Sequence, residues 1–379
     1  MSSILFIRST HPLFDSRLQK EVNSALKFEH DVILLGWNRE NISVNGNQLK
    51  MIDGFVDFEL CKIKARYGDG IKNIFKLFLF QIWILYKLVI HRKKYRIIHS
   101  CDFDTAIPAF IVAKLFRKKI VYDIYDYYTH SHFVPKPIEK IIESGENFII
   151  NSSDAVIICN DERREQIIKT HPKKCVVIHN TPDVRWEKQK NRICKSDNSN
   201  FKIVYVGILQ PGRLLYEIAN IITHYPNIEL HIGGFGNLEN EFYELSKKYS
   251  NVFFYGRLPY NQVLQLESEC DLLFAIYDPT IKNHKFSAPN KVYEAMALKK
   301  PIIVCKDTGV DKMVTRHQIG LAINYNAQAF IAAVQELMKN PALRDEMGSN
   351  GRKAYEMYYR WPIMEERLED IYSNLNIHY

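Results

Sequence analysis

An α/β chain of two doubly wound domains is the fold this sequence predicts, and three observations carry it. Short apolar runs alternate with amphipathic stretches through most of the chain, the pattern of strand, helix and strand units on a parallel sheet. The alternation stops once, in a polar stretch from Thr181 to Asn200 holding Lys188, Lys190, Arg192, Lys195, Asp197 and the Asn-Ser-Asn run at 198–200. Finally, 379 residues at 46% apolar composition suffice for two cores, given roughly 150 residues per domain. The expected organisation is a first domain at 1–182, a linker at 183–200, a second domain at 201–358 and a terminal helix at 359–379 returning toward the first domain.

Ile4-Leu5-Phe6-Ile7 is apolar without alternation, as a strand covered on both faces requires, and opens the first strand, Ile4-Arg8. The amphipathic stretch Ser16 to Phe28 reads as the first helix, followed by a strand at Asp31-Leu35. Further helices are expected at Ile71 to His91, Thr105 to Phe116 and Ile138 to Ile150, with strands at Arg96-His99, Ile120-Tyr122, Ala155-Cys159 and Val176-His179. After the polar stretch the strands are Lys202-Val206, Glu229-Ile232, Val252-Tyr255, Leu272-Ala275, Pro301-Val304 and Leu321-Ile323. Helices follow at Leu264-Glu269, Lys291-Leu298 and Ala327-Met338, and the tail from Trp361 to Leu375 is amphipathic. The order is Rossmann-like in both halves, which places a ligand between the domains, at the carboxyl ends of the strands.

Composition narrows the function classes. Seven Cys, none in a CxxC or Cys/His cluster, fit a reduced compartment better than a disulfide framework or a structural zinc site. The first apolar run is too short for a signal peptide, so the expected location is the cytoplasm. The net charge of +8 is unevenly spread: from Lys62 to Lys119 there are 14 Lys and Arg against 3 acids, a net of +11, so the rest of the chain sums to −3. Inside that segment Leu77 to Tyr86 is uncharged, but Lys72, Lys76 and Lys87 interrupt any longer apolar run, and a spanning helix needs about 20 largely apolar residues. Ile71 to Arg96, ending in the cluster His91-Arg92-Lys93-Lys94-Tyr95-Arg96, reads instead as a helix lying on an anionic membrane surface. The alternative is a buried domain helix with a solvated basic end. Nucleic acid is not an expected partner, because no aromatic stacking module accompanies the basic surface.

The richest segment is Ser287-Ala288-Pro289-Asn290-Lys291-Val292-Tyr293-Glu294-Ala295-Met296-Ala297. Pro289 can open a helix whose first N–H groups are unsatisfied and point from a partly positive end, an anion site. Lys291 adds a cation in the first turn, and Glu294 lies three residues on along the same face. A diphosphate on the helix end and a ribose diol on the carboxylate would use both; otherwise the two side chains simply pair.

This segment resembles the nucleotide-sugar signature of retaining GT-B glycosyltransferases of family 4 (group 1), in the subset carrying Pro-Asn-Lys-x-x-Glu. Val206-Gly207-Ile208-Leu209 with Gly212-Arg213 is similar to the family's first loop of the second domain, and Gly233-Gly234-Phe235-Gly236 to its Gly-rich turn. Asn251-Val252-Phe253-Phe254-Tyr255-Gly256 matches the strand before the base pocket, and Lys300-Pro301-Ile302-Ile303 follows the signature helix at the family's interval. In the first half, Phe14-Asp15-Ser16-Arg17, Val121-Tyr122-Asp123-Ile124-Tyr125-Asp126 and His179-Asn180-Thr181-Pro182 resemble family elements in family order. The resemblance spans essentially the whole chain.

It implies a GT-B fold and sugar transfer with retention from a nucleotide-sugar to a glycan or lipid-linked acceptor in cell-surface polysaccharide or glycolipid synthesis. It assigns Gly207, Arg213, Gly234, Leu258, Pro289, Asn290, Lys291 and Glu294 to the donor, and Asp15, Arg17, Tyr125 and His130 to the acceptor. Arg213, Lys291, Glu294 and Asp126 are the catalytic candidates, His132 being an alternative to His130. The leaving diphosphate is then neutralised by Arg213, Lys291 and a helix end, with no protein nucleophile, cofactor or metal. Three positions depart from the family pattern: Phe286 replaces the first Glu of Glu-x7-Glu, Tyr125 replaces the cleft His, and Gly207-Ile208 replaces Gly-Arg. Asp102-Phe103-Asp104 admits a rival metal-binding reading. Gly233 to Gly236 is not the dinucleotide GxGxxG. Rival functions are a nucleotide-sugar 2-epimerase of the same fold and a non-catalytic scaffold that keeps it.

Overall fold

The computed structural model of the chain describes residues 3–43, 46, 48–65, 73–132, 134–183, 192–196 and 199–376. Ile71 and Lys72 of the basic helix, residues 184–191 and 197–198 of the expected linker, and 377–379 of the tail lie outside the described residues. The chain forms two compact units, one of residues 1–179 and 362 onward, the other of residues 180–361.

In the first unit the strands are β1 (Ser3–Ile7), β2 (Asp31–Trp37), β3 (Gln48–Lys50), β4 (Phe55–Cys61), β5 (Ile97–Cys101), β6 (Lys119–Ile124), β7 (Ala155–Ile158) and β8 (Cys175–Val177). They lie in the order β3-β4-β2-β1-β5-β6-β7-β8, parallel except for the antiparallel β3–β4 edge pair. The sequence pattern missed β3 and β4. Phe55-Val-Asp-Phe alternates because β4 buries Val56 and Phe58 while Phe55 and Asp57 face out, whereas continuous apolar runs mark strands covered on both faces. The helices are α1 (Ser16–Lys27), α2 (Ile74–Ile90), α3 (Phe103–Leu115), the short α4 (Tyr128–Ser131) and α5 (Lys136–Ser152). Phe80, Ile84 and Leu88 of α2, four residues apart, enter a core with Leu35, Trp37, Ile98 and Val112. The opposite face of α2 is also apolar: Ile74, Phe78, Ile82, Tyr86 and Ile90 repeat every four residues and are exposed, as are Ile107, Ile111 and Leu115 of the adjacent α3.

The second unit carries β9 (Phe201–Ile208), β10 (Ile228–Phe235), β11 (Val252–Phe254), β12 (Leu272–Ala275), β13 (Ile302–Cys305) and β14 (Gly320–Ile323), all parallel, in the order β11-β10-β9-β12-β13-β14. This is the doubly wound order, reversing between β9 and β12, so a ligand crevice is expected beyond the carboxyl ends of those strands. Its helices are α6 (Leu215–Ile222), α7 (Glu239–Lys248), α8 (Tyr260–Glu269), α9 (Asn290–Ala297), α10 (Val310–His317), α11 (Ala327–Lys339) and α12 (Pro341–Ala354). The described end of the polar stretch is docked on this unit. The Cys194 N–H donates to Glu269 Oε2 at 2.7 Å, the Lys195 N–H to Tyr255 Oη at 3.0 Å, and Ser196 Oγ to Glu229 Oε1 at 2.9 Å.

The last helix, α13 (Trp361–Asn376), is held on the first unit from 362 onward. Tyr372 Oη is 2.7 Å from His99 Nδ1, Arg367 Nη1 donates to the Val177 carbonyl at 2.8 Å, and Lys27 pairs with Glu365 at 2.6 Å.

Within the first unit Glu146 of α5 is fully buried and accepts hydrogen bonds from Tyr122 Oη at 2.8 Å and the Tyr128 N–H at 3.1 Å. Burial pushes its carboxyl up to about 8, against the lowering effect of those two bonds. The folded state therefore holds a proton that the unfolded chain releases near its ordinary pKa of 4.5, and this stabilisation is present below that pH and is lost as pH rises toward 8. Glu146→Gln keeps the Oε1 acceptor, which lies 2.8 Å from Tyr122 Oη and 3.4 Å from the Tyr128 nitrogen, and should remove that loss. Denaturant unfolding at pH 5.5 and 7.5 should show the variant gaining on the wild type by up to about 1.4 kcal/mol per pH unit. Parallel pH profiles would contradict it.

Candidate functional site

Where β9 and β10 end side by side, Gly207 pairs with Gly234 across the ladder. Gly234 sits at φ +129°, and a Cβ there would stand 1.7 Å from the Gly207 carbonyl oxygen, so the chain can close this turn only without a side chain. The result is a bare backbone floor. Leu258 borders it, with Cδ1 3.5 Å from where a Cβ on Gly233 would stand. Above it the first turn of α9 begins after Pro289, an extended N-cap whose side chain makes no capping hydrogen bond. Asn290 is the first helical residue.

Lys291 projects from that turn onto the floor. Its Nζ lies 4.4 Å from the centroid of the Tyr205 ring and 2.9 Å from the position of a Cβ on Gly207. The side chain is buried. Burial opposes its charge, yet Tyr205, Tyr277, Glu294 and Glu267 outweigh that, so its pKa stands above the ordinary lysine value and the ammonium persists. Arg213 supplies a second cation: Nη1 donates to Tyr205 Oη at 2.7 Å, Tyr205 Oη donates to the Ile208 carbonyl at 3.0 Å, and the guanidinium lies over the Tyr277 ring at 5.0 Å. The Asp278 N–H donates to the Gly212 carbonyl at 2.9 Å, tying the loop after β12 to the Arg213 loop.

Glu294, one turn along α9, is buried and accepts a hydrogen bond from Tyr260 Oη at 3.0 Å. Fully buried Glu267 of α8 faces it. Neither Tyr260 nor Glu267 belongs to the residues that sequence reasoning selected. A charged residue beside the buried apolar residues Val263, Leu264 and Leu266 of α8 was the available signal.

The residues assigned to the first domain gather in a different way. Asp15 caps α1 by accepting from the Leu18 N–H at 3.1 Å and pairs with Arg8 Nε at 2.8 Å. Arg17 is buried, with Nη2 3.1 Å from both Asp123 oxygens, Nε 3.0 Å from Glu21 Oε1, and Nη1 donating to the Ile178 carbonyl at 2.7 Å. Tyr125 Oη donates to Glu21 Oε2 at 3.2 Å, and its ring is covered by Arg8 and Arg17 at 4.1 and 4.8 Å. Asp15, Arg17 and Tyr125 thus form one charge network with Arg8, Glu21, Asp102 and Asp123, buried at Arg17, Glu21 and Asp123 and partly buried at the other four. Asp126 stands at its edge, with a side chain 48% exposed and paired to Arg163 Nη2 at 2.8 Å. His130 lies apart, its Nδ1 3.1 Å from Gln166 Nε2, and exposed His132 stacks on Tyr128. Phe286 ends a short turn before α9.

The Asp-x-Asp element has other work. Asp102, at φ +63°, accepts the Tyr125 and Asp126 N–H groups on Oδ1 at 2.9 and 3.2 Å and pairs with Arg8 on Oδ2. Burial, against the pull of Arg8, pushes its carboxyl up to about 6. Elsewhere among the described residues Glu21, His99 and Cys101 bring potential ligand atoms within 4.8 Å of one another, but the Arg17 guanidinium already holds that glutamate.

The second unit matches the family model described as Glycosyl transferases group 1 over residues 187–354, and the preceding stretch matches Glycosyltransferase Family 4 over residues 56–186. The chain belongs to the group 1, family 4 glycosyltransferases. The chain is 25% identical over 194 residues to the capsular polysaccharide biosynthesis glycosyltransferase CapM of Staphylococcus aureus, covering 49% of each chain. It is 29% identical over 161 residues to a GDP-mannose-dependent monoacylated alpha-(1-6)-phosphatidylinositol monomannoside mannosyltransferase of Corynebacterium glutamicum, covering 42% of each. The matched regions thus span about half the length of these curated relatives. Its fold is GT-B, as in the Anabaena HepE structure with UDP-glucose, which superposes with a TM-score of 0.73 at 14% identity over 99% of this chain and 100% of that one.

Proposed function

We propose that this glycosyltransferase moves a sugar, with retention, from a nucleotide-sugar to a glycan or lipid-linked acceptor in cell-surface polysaccharide or glycolipid synthesis. The observation that carries the reading is the second unit's bare glycine floor beneath the buried Lys291 ammonium, with Glu294 one turn away on the same helix. The curated relatives act in capsular polysaccharide biosynthesis and on a phosphatidylinositol mannoside, which supports the acceptor class.

In this reading the diphosphate lies along the Gly207 and Gly234 backbone and meets the first N–H groups of α9, Lys291 and Arg213. The sugar–phosphate bond breaks with the electron pair going to the diphosphate, and these fixed charges stabilise the negative charge that grows there. The acceptor hydroxyl then attacks on the face the diphosphate leaves, so the anomeric configuration is kept without a protein nucleophile. Glu294 accepts the ribose diol, and Leu258 borders the base. Asp126 and His130 are the acceptor contacts, while Arg17, Asp15 and Tyr125 hold the strand ends that carry them. No metal is assigned, because two cations and a helix end already face the diphosphate.

The lipid surface enters through the first unit. The exposed row Ile74, Phe78, Ile82, Tyr86, Ile90 of α2 lies beside the basic cluster Arg92 to Arg96, the pairing that suits an anionic leaflet. No described helix is long and apolar enough to cross a membrane. The enzyme is accordingly read as peripheral, on the inner membrane face in the cytoplasm.

Two measurements test this reading. Glu294→Ala should weaken binding of the free nucleoside diphosphate by about 1.5–3 kcal/mol, the size of lost hydrogen bonds to a charged group, in titrations with UDP and GDP in the presence of EDTA. Unchanged affinity in a folded variant would remove Glu294 from the donor site. For the membrane, reversing charge at Arg92, Lys93 and Lys94 should reduce co-sedimentation with vesicles containing phosphatidylserine, since each basic residue near the surface contributes about 1 kcal/mol. Nucleotide binding should be untouched by that change. Wild-type protein that stays in the supernatant at low salt would make the exposed face of α2 unrelated to lipid.

A further inference from the structure

Glu267 is fully buried on α8, and no N–H or O–H donor among the described residues reaches either of its carboxyl oxygens. An ionised carboxylate in that position would be a buried charge with nothing to satisfy it, which folded proteins do not sustain. What faces it is Glu294, together with the Lys291 ammonium. Two carboxyl groups side by side can be satisfied in one way: one of them carries a proton and donates it to the other. Glu294 is already the acceptor for Tyr260 Oη at 3.0 Å, from the same helix as Glu267.

We propose that Glu267 is a positioning residue of the donor site: as a neutral acid it donates a hydrogen bond to Glu294, fixing that carboxylate for the nucleotide ribose. With Tyr260 and Glu267 both donating to it, the orientation of the Glu294 carboxylate is set from α8. The arrangement also sets the charge. One negative charge, not two, stands beside Lys291, so the Lys291–Glu294 pair is neutral and not net negative where the diphosphate arrives. Burial, and then the charge of Glu294, push the Glu267 carboxyl well above the usual range, with Lys291 pulling the other way. The remaining groups around the pair are Tyr260 on α8, Tyr205 and Tyr277 around Lys291, and Tyr355, which faces Tyr260. The inference rests on the reading of Glu294 as the ribose acceptor, and the test below separates the two.

UDP and GDP affinities of the full chain are to be measured by calorimetry at pH 7.5, above the last ionisation of the diphosphate. Glu267→Gln, which keeps an N–H donor, should bind within about twofold of the wild type. Glu267→Leu, which has no donor, should bind about tenfold more weakly. Binding by a folded Glu267→Gln as weak as that of Glu267→Leu, or full affinity in a folded Glu267→Leu, would overturn the role of Glu267. If Glu294→Ala also binds normally, the donor-site reading fails instead; if Glu294→Ala is weak and the Glu267 variants behave as wild type, only this inference fails.

Discussion

A buried ammonium constrains the second unit more than any other single group. Lys291 is taken out of water at the start of α9 and set over the Tyr205 ring and the Gly207 backbone, which a lysine tolerates only when aromatic faces and carboxyls offset the lost hydration. Much of the site's sequence follows from that demand. A Cβ on Gly207 would push Nζ from its place, 2.9 Å from where that Cβ would stand, and Gly234 must lack a side chain because the neighbouring backbone carbonyl stands at 1.7 Å. Tyr205 is fixed in turn by its bonds to Arg213 and the Ile208 carbonyl, and Glu294 is fixed by Tyr260.

The first unit solves the same physical problem with a different outcome. Arg17, Glu21, His99 and Asp123 are all buried at the strand ends, and two guanidiniums enclose Tyr125. Charges so paired are costly to separate and worth little as net stabilisation, and here they fasten α1, β5, β6 and, through Tyr372, α13. Asp102 belongs to the same fastening, since both of its oxygens are taken by Arg8 and by backbone N–H groups. The strand ends of the first unit are accordingly tied into one frame, with the Asp126 side chain half-exposed at its rim.

Elements covered on both faces were legible in the sequence, because burial on both sides leaves an uninterrupted apolar run; β1, β7, β12 and β13 are such strands. The edge pair β3–β4 was not, since one of its faces is wet and β3 is three residues long. The helix starting at Asn290 and its Lys291 and Glu294 were legible because Pro289 and their spacing act locally. The partners that make those residues work were not: Tyr260 and Glu267 arrive from another helix, and whether a glutamate is solvated or buried is decided by packing that no local pattern records. Arg17 and Tyr125 show the converse, residues found by resemblance whose contacts in the fold are with one another's network.

The measurement that tests the central claim most directly is hydrogen–deuterium exchange of the full chain with and without a saturating nucleoside diphosphate. Binding on the glycine floor beneath Lys291 predicts new protection at residues 205–213, 233–236 and 290–297, with the first unit's strands unchanged. Protection confined to the first unit, or none under conditions where calorimetry records binding, would contradict it.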